Sequence, residues 1–152
     1  MHETENAIAA AIDGLVALAI RGGPPQDISL TAAATLATLQ RGGPCRLTDL
    51  AEIEGVSQPS MSTLVTGLER AGLAERRPSP DDGRVVLVTL TPDGADFVRA
   101  RRQARAARLA ELIRLLPADQ AAALAAAVPA MTSLRDLQAR QRARQVAQPD
   151  LR

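Results

Sequence analysis

The middle of the chain contains a run of residues whose apolar positions recur at the spacing of an α-helix. Ser57 precedes the run as a good N-cap, Pro59 suits its first turn, and Gly72 follows it as a stop. Between these ends the apolar residues fall at positions i, i+3, i+4 and i+7, which places them on one face. They are Met61, Leu64, Val65 and Leu68. The pattern predicts one helix of about four turns that turns this face toward a core.

A shorter helical pattern lies directly before this helix, with a glycine between the two. Residues 50–54 predict the end of a short helix, Gly55 permits a tight turn with positive φ, and Ser57 opens the next helix. Ala51 is small enough to lie where the two helices touch. This is the spacing of a helix-turn-helix unit.

Residues that favour turns and then strands follow the second helix. Residues 78–83 form a turn cluster rich in Pro, Asp and Gly, and residues 84–90 are rich in β-branched side chains. Residues 72–77 lead into the turn and supply the other strand. Because two strands around a loop form a wing, the whole region predicts a winged helix-turn-helix.

Two further helices are predicted before the short helix, and the start of the short helix is also assigned. Residues 3–20 form an amphipathic first helix, and Thr31 caps a second helix that runs to about Gln40. Thr48 caps the short helix that ends near Gly55. Both caps are assigned because a hydroxyl oxygen can accept a hydrogen bond from a free backbone N–H in the first turn.

A long helix and a C-terminal helix complete the predicted architecture. Thr91 is the N-cap of the long helix, with Pro92 at its first position, and this helix extends to about Leu116. The last helix runs toward Val146, and Pro129 is expected to kink it or to split it in two.

Taken together, these features resemble the MarR family of winged-helix transcription regulators. The resemblance extends over nearly the whole chain and rests on the combination of motifs. The residues that carry it are 50–52, 56–61, 64–65, 68–73, 75–77, 81–84 and 90–94. The resemblance implies a mostly α fold with a small β-wing, in which a winged helix-turn-helix is joined to a helical dimerisation platform.

The resemblance also implies how the chain is divided and what it does. Residues 1–28 form an N-terminal dimerisation helix, residues 29–91 the DNA-binding domain, and residues 92–152 the long helix and the C-terminal dimerisation helices. A homodimer of this kind is expected to place its recognition helices about 34 to 36 Å apart and to bind double-stranded DNA at a pseudo-palindromic operator as a repressor. A small-molecule effector between platform and winged domain would release it if that ligand prefers one of two spacings of the helices.

Candidate DNA-binding residues come from the recognition helix, the wing and the segment before the short helix. On the recognition helix the candidates for base edges and nearby phosphates are small polar residues: Gln58, Ser60, Ser62, Thr63 and Thr66. In the wing, Arg84 is the candidate for the minor groove. Asp82 is expected to orient Arg84 or a neighbouring arginine, because an acid that faces phosphate is repelled. Arg77 and Arg46 are further candidates, although Arg46 is as readily interpreted as an ordinary solvated side chain.

The charge of this region supports a second hypothesis. Within residues 57–90, Arg70, Arg76, Arg77 and Arg84 are balanced by Glu69, Glu75, Asp81 and Asp82, and the whole chain carries only +1. Thr63 and Gly67 stand where members of the family often have Arg or another long polar residue. The alternative is a degenerate winged helix that serves as a protein-interaction or dimerisation module without specific DNA binding. Steep salt dependence of DNA binding would exclude that alternative.

A basic segment of the predicted long helix has two interpretations. Its arginines have no balancing acid between them: Arg99, Arg101, Arg102, Arg105 and Arg108. The segment is either a second DNA-facing surface or, as we favour, a solvated or subunit-bridging helix face.

Composition gives no basis for a catalytic or metal site. The chain has one His and one Cys and lacks a glycine-rich phosphate loop, so no nucleophile and base can be nominated. One Cys with one His cannot form a Cys/His zinc site. We therefore expect no enzyme activity and no cofactor, and we expect Cys45 to be a packed structural thiol rather than a redox sensor. No stretch is apolar enough for a membrane span, so a cytoplasmic protein is expected.

Overall fold

The computed structural model describes residues 2–21 and 28–147, and helices dominate it. The helices are α1 (His2–Arg21), α2 (Leu30–Gly42), α3 (Leu47–Glu54), α4 (Gln58–Arg70), α5 (Pro92–Arg114) and α6 (Ala118–Ala147). The strands are β1 (Cys45–Arg46), β2 (Ala74–Pro78) and β3 (Val86–Leu90), and they form one antiparallel sheet. This confirms the predicted mostly α fold with a small β-wing.

The chain divides into two compact units, Met1–Ala107 and Arg108–Arg152. Helix α5 begins in the first unit and ends in the second. The division into functional parts at residues 28 and 91 concerns the roles of the segments, and it stays a prediction.

The hydrophobic core of the first unit lies where α2, α3 and α4 meet the sheet. Its large buried side chains come from all four parts: Leu36, Leu39, Leu50, Met61, Val65, Leu68 and Val88. The helical spacing predicts this burial for α4, whose Leu64 is partly buried against the same core. Thr35 is also buried, and its hydroxyl donates to the Thr31 carbonyl at 2.9 Å, so this polar group is satisfied.

Two of the predicted helix caps are wrong. Helix α2 is capped by Ser29, whose Oγ accepts a hydrogen bond from the Ala32 N–H at 3.1 Å, and Thr31 lies inside the helix. The sequence offers hydroxyls at both positions, and local spacing alone does not choose between them. Helix α3 has Arg46 at its N-cap without a side-chain hydrogen bond, and Thr48 lies inside it. Because β1 leads directly into α3, strand pairing sets where that helix begins.

The sheet has the strand order β1, β3, β2, and its middle strand pairs with both neighbours. Strands β2 and β3 are the predicted wing hairpin. Strand β1 is an addition, because two residues are too few to show an alternating pattern. Across the sheet, Cys45, Val88 and Arg76 form one row in register, and Arg46, Leu87 and Arg77 form the next. Residues in register share a face and neighbours along a strand alternate, so Arg76 and Arg77 project from opposite faces.

The junction between β3 and α5 is held tightly to the end of α4. Thr91 caps α5 as predicted, since its Oγ1 accepts from the Gly94 N–H at 3.0 Å. The same hydroxyl donates to the Gly72 carbonyl at 2.6 Å. Gly94 is buried, and a Cβ at this position would clash with the carbonyl oxygen of Leu73. The start of α5 therefore depends on a glycine that packs against backbone.

Helices α1 and α6 each keep apolar side chains exposed within the single chain. On α1 these are Ile8, Ile12, Leu15 and Val16, and on α6 they are Val128, Met131, Leu134 and Leu137. Of the two outcomes expected at Pro129, the split is wrong because α6 continues through this residue, and the kink stays a prediction. A proline removes one backbone donor, and the alanine-rich turns around it favour helix strongly enough to continue. Among the described residues, no helix combines the length and apolar character needed to cross a lipid bilayer.

Candidate nucleic-acid interface

Helix α4 has well-defined ends. Ser57 is its N-cap, as predicted, and its Oγ accepts from the Ser60 N–H at 3.3 Å. At the other end Gly72 has φ 72°, the left-handed conformation that favours glycine. The Leu73 N–H donates to the Leu68 carbonyl at 2.9 Å, which is the long hydrogen bond of a Schellman motif. Both ends therefore fix the length and direction of this helix.

The turn between α3 and α4 is built in the same way. Gly55 has φ 66°, and the Val56 N–H donates to the Ala51 carbonyl at 3.0 Å. Ala51 is itself buried. The predicted helix-turn-helix is confirmed, and with its apolar stripe in the core α4 turns its polar face outward.

The polar face of α4 exposes the predicted DNA-binding residues unequally. Gln58, Ser60 and Thr63 are exposed, whereas Ser62 and Thr66 are only partly exposed. Thr63 Oγ1 donates to a backbone carbonyl of the preceding turn at 3.1 Å, so its lone pairs are still available to accept a hydrogen bond. Gln58, Ser60 and Thr63 are thus the members of the set that a ligand can reach most freely.

Ser62 and Thr66 lie beside Arg76 of β2, a residue that was not among the predicted site residues. Arg76 Nη2 donates to the Ser62 carbonyl at 3.2 Å, and Nη1 lies 3.5 Å from Thr66 Oγ1. Arg76 Nη1 also forms a salt bridge with Glu69, whose other carboxylate oxygen accepts from the Arg76 backbone N–H at 3.0 Å. The two residues are seven positions apart across the Gly72 turn. No spacing rule for a single helix or hairpin predicts such a pair.

The tip of the wing carries Asp82 and Arg84. Asp82 Oδ1 accepts from the Arg84 backbone N–H at 3.0 Å, and the Asp82 carbonyl accepts from the Val85 N–H at 2.9 Å. These bonds form a compact turn of the kind that Asp favours. Asp82 thus contacts the backbone of Arg84, and Arg84 is exposed at the tip.

Arg77 and Arg46 lie on the face of the sheet opposite Arg76. Both are exposed, and both are in register with Leu87, one on each side of it. Arg77 Nη2 forms a salt bridge with Glu75 at 2.7 Å. The fold therefore brings Arg46 and Arg77 to one face of the sheet, whereas Arg76 projects from the other face toward α4.

Cys45 lies half-buried in β1, at the edge of the core. Burial raises the pKa of its thiol, and the negative charge of Asp49 acts in the same direction. A raised pKa keeps the sulfur protonated and weakly nucleophilic at neutral pH. This supports its interpretation as a packed thiol.

The central part of the chain is similar to known regulators. A sequence profile described as the MarR family matches residues 28–86. An uncharacterised HTH-type transcriptional regulator of Mycobacterium leprae is 39% identical over 82 residues, which cover 54% of this chain and 57% of that protein. The multiple antibiotic resistance protein MarR of Salmonella typhimurium is 35% identical over 71 residues, which cover 47% of this chain and 49% of that protein. The chain thus spans about half the length of these curated relatives.

A solved structure extends the similarity of fold beyond this central part. The crystal structure of RV1404 from Mycobacterium tuberculosis is 28% identical and superposes with a TM-score of 0.68, over 85% of this chain and 90% of that one. The profile, the relatives and the shared fold agree with the geometry of α3, α4 and the wing. Residues 28–86 therefore form a winged helix-turn-helix domain of the MarR family of transcription regulators.

Proposed function

We propose that this protein is a sequence-specific DNA-binding transcription regulator that represses transcription as a homodimer on a pseudo-palindromic operator. The observation that carries the proposal is the polar outer face of α4, which is fixed at both ends and belongs to the same unit as the exposed Arg84 of the wing. An α-helix fits the major groove, and an exposed arginine suits a narrow minor groove. Together, α4 and Arg84 supply one contact for the major groove and one for the minor groove of a single half-site.

The exposed apolar side chains of α1 and α6 support the homodimer. Several large apolar side chains exposed along one helix indicate a candidate association surface on that helix. A two-fold dimer carries two copies of α4, and half-sites about 34 Å apart match one turn of DNA. The operator is then expected to have the symmetry of the protein.

Release by a small-molecule effector is the part of the proposal that follows from membership in the family. Such a ligand acts by binding more tightly to one of two separations of the recognition helices. Reciprocity requires that operator DNA then weakens ligand binding by the same factor. Calorimetric titration of a candidate effector with and without operator measures this factor directly.

Fluorescence anisotropy with labelled DNA tests the central proposal. The label is placed on the DNA, since the chain contains no Trp and no Tyr. Duplex from upstream of the protein's own coding region is titrated at several salt concentrations beside a scrambled duplex. We expect preference for the native duplex and a salt slope of several ions. Equal and weak binding of both duplexes, repeated with operator candidates from a genomic selection, would contradict the proposal.

Substitution of the wing arginine tests the second contact. Arg84→Ala is expected to weaken binding to both duplexes and to lower the salt slope by about 1, because a phosphate-neutralising cation is lost. Arg102→Ala on α5 is the matched control, since it removes an exposed arginine outside the wing. Unchanged affinity and slope for Arg84→Ala would mean that the wing does not contact DNA, and a loss for Arg102→Ala would identify α5 as a second DNA-facing surface.

Substitution of an accessible side chain on α4 tests base reading. Thr63→Ala is expected to alter preference at particular base pairs and to leave the salt slope unchanged, because the hydroxyl and methyl groups of Thr contact base edges without charge. Binding to a library of single base-pair operator variants provides the measurement. A uniform change across the library would argue against direct readout by Thr63.

A second candidate function has support from the pairing of charges. Arg76 and Arg77 both form salt bridges with carboxylates of this domain, which reduces the positive charge available to phosphates. A winged helix that serves as a protein-interaction or dimerisation module fits this balance. The anisotropy titration separates the two functions, because such a module gives no steep salt dependence.

A further inference from the structure

Arg76 joins the wing to the recognition helix through several hydrogen bonds at once. Its guanidinium contacts the Glu69 carboxylate, the Ser62 carbonyl and the Thr66 hydroxyl, all on α4. Its backbone N–H donates to the other Glu69 oxygen at 3.0 Å. The carboxylate of Glu69 therefore holds both the main chain and the side chain of one residue in β2.

The burial of this pair sets it apart from the other ion pair of the wing. The side chains of Arg76 and Glu69 are 30% and 29% exposed, whereas those of Arg77 and Glu75 are 66% and 37% exposed. Arg77 and Glu75 also belong to the same strand, so their salt bridge joins no second element. The Arg76 pair is the one that links two elements, and partial burial weakens the screening by solvent.

The contacts also change how two residues of α4 are interpreted. The Thr66 hydroxyl donates to the Ser62 carbonyl at 2.9 Å and lies 3.5 Å from Arg76. Ser62 Oγ lies 3.5 Å from Arg76 Nη2. Unlike Ser60 and Thr63, these two side chains are only partly exposed and lie against Arg76, so they would lose these contacts if they turned to a base edge.

We propose that Arg76 is a positioning residue for DNA recognition. With Glu69 it forms a joint that fixes β2 against α4, so that the wing and the recognition helix bind DNA as one rigid unit. Ser62 and Thr66 hold this joint and do not read bases. Gln58, Ser60 and Thr63 then carry direct readout, while Arg84 depends on the joint for its position. This inference rests on the proposed function, because it assigns roles within DNA binding.

The competing interpretation is that Arg76 contacts a DNA phosphate. The two interpretations predict opposite changes of DNA affinity when Glu69 is neutralised. If Glu69 only adds negative charge near DNA, its neutralisation strengthens binding. If Glu69 holds the joint, its neutralisation weakens binding although it removes repulsion. Glu69→Gln and Glu75→Gln each remove one negative charge from an ion pair of β2, and only the Glu69 pair links β2 to α4, so Glu75→Gln is the matched control.

Operator binding by the 152-residue chain is measured for both variants by anisotropy. We expect Glu69→Gln to weaken binding about tenfold at an unchanged salt slope, and Glu75→Gln to leave binding unchanged or to strengthen it slightly. Tighter binding by Glu69→Gln would overturn the proposal. Thermal unfolding of each variant by far-ultraviolet circular dichroism confirms that the titrations are made on folded protein.

The conservative replacement of Arg76 provides an independent readout. Lys keeps the charge but lacks the planar fork that contacts several acceptors together. Arg76→Lys and Arg76→Ala are therefore both expected to weaken binding about tenfold, again with an unchanged salt slope. Near wild-type binding by Arg76→Lys, with a slope reduced by about 1 for Arg76→Ala, would identify a phosphate contact instead.

The failure of this inference and of the proposed function can be told apart. Wild-type protein that shows no salt-dependent preference for any operator candidate overturns the proposed function, and the role of Arg76 in DNA recognition with it. Wild-type protein that prefers its operator, combined with tighter binding by Glu69→Gln, overturns only the inference. Weaker binding by Glu69→Gln and Arg76→Lys beside an unaffected Glu75→Gln supports both.

Discussion

Helices α4 and α6 both carry apolar residues at regular intervals, but only α4 buries them within its own chain. Met61 and Val65 of α4 are 0% exposed, whereas Val128 and Leu134 of α6 are 55% and 53% exposed. The stripe of α4 packs into the core that α2, α3 and the sheet complete. On α6, by contrast, Val128, Met131, Leu134 and Leu137 remain exposed.

The difference shows that the two regions obtain their stability from different sources. The winged domain has fully buried side chains, glycine-terminated helices and polar groups that are satisfied within the chain. Its core is therefore complete within one chain. Exposed leucines and valines on α6 gain most of their hydrophobic stabilisation only when another surface covers them, at roughly 25 cal/mol per Å². We expect that surface to be a second copy of the chain.

The same substitution at two methionines gives the largest expected effect and tests this comparison directly. Met61→Ala is expected to lower the free energy of unfolding by about 2–5 kcal/mol, because it leaves a cavity in a closed core. Met131 is 41% exposed on α6, so Met131→Ala is expected to cost less than about 1 kcal/mol in the monomer. Denaturant titration followed by circular dichroism measures both. If the cost of Met131→Ala grows with protein concentration, Met131 is buried in the dimer. If Met131→Ala costs as much as Met61→Ala at every concentration, the contrast between α6 and α4 is wrong.

Charge placed on the exposed face of α6 is expected to weaken the dimer by a somewhat smaller amount. The double change Leu134→Glu and Leu137→Glu should reduce the affinity of the proposed dimer about 100-fold, or ~2.8 kcal/mol, because carboxylates would be buried without partners. Gln138→Glu, at an exposed position on the same helix, serves as the control. Sedimentation equilibrium provides the measurement. A double variant that remains a stable dimer would place the association surface elsewhere.

A pair of glycines tests how tightly the winged domain is packed. Gly94→Ala is expected to destabilise the fold by about 1–3 kcal/mol, because its Cβ would clash with the Leu73 carbonyl and lie 2.9 Å from Leu90 Cδ1. Gly67 of α4 has no atom within 4 Å of such a Cβ. Gly67→Ala is therefore expected to stabilise the helix by up to about 1 kcal/mol. Thermal unfolding of the two variants should move in opposite directions, and a neutral Gly94→Ala would contradict the close packing at the start of α5.

The smallest expected effect concerns the pH dependence of stability near Cys45. Since its pKa is raised in the folded state, the resulting stabilisation is fully present below the ordinary thiol pKa of 9.0 and is lost as the pH rises through the folded value. The chain contains no Lys and no Tyr, which are the other side chains that ordinarily titrate in this range. Denaturant titrations at increasing pH should show the loss in wild type and a flatter profile in Cys45→Ser. Identical profiles would mean that the thiol is not buried as the structure places it.

The sequence by itself determined those features whose physical cause is local. The stripe from Met61 to Leu68, the Ser57 and Thr91 caps and the turn at Gly55 follow from helical periodicity and from backbone donors that need acceptors nearby. The wing hairpin follows from turn residues placed before a β-branched run. These signals lie within a few residues of one another, so they can be found without knowing the fold.

Tertiary structure alone decided which residues meet across longer distances. Strand β1 exists because Cys45 and Arg46 pair with the middle of β3. Two residues are too few to predict a strand from their pattern. The close approach of Gly94 to Leu73 likewise depends on how β3 returns to the end of α4. Arg76 and Arg77 have the same chemistry and adjacent positions, yet strand alternation sends one to Glu69 on the recognition helix and the other to the opposite face. Register and packing, rather than residue type, therefore decide that Arg76 contacts Glu69 on α4 and that Arg77 remains exposed.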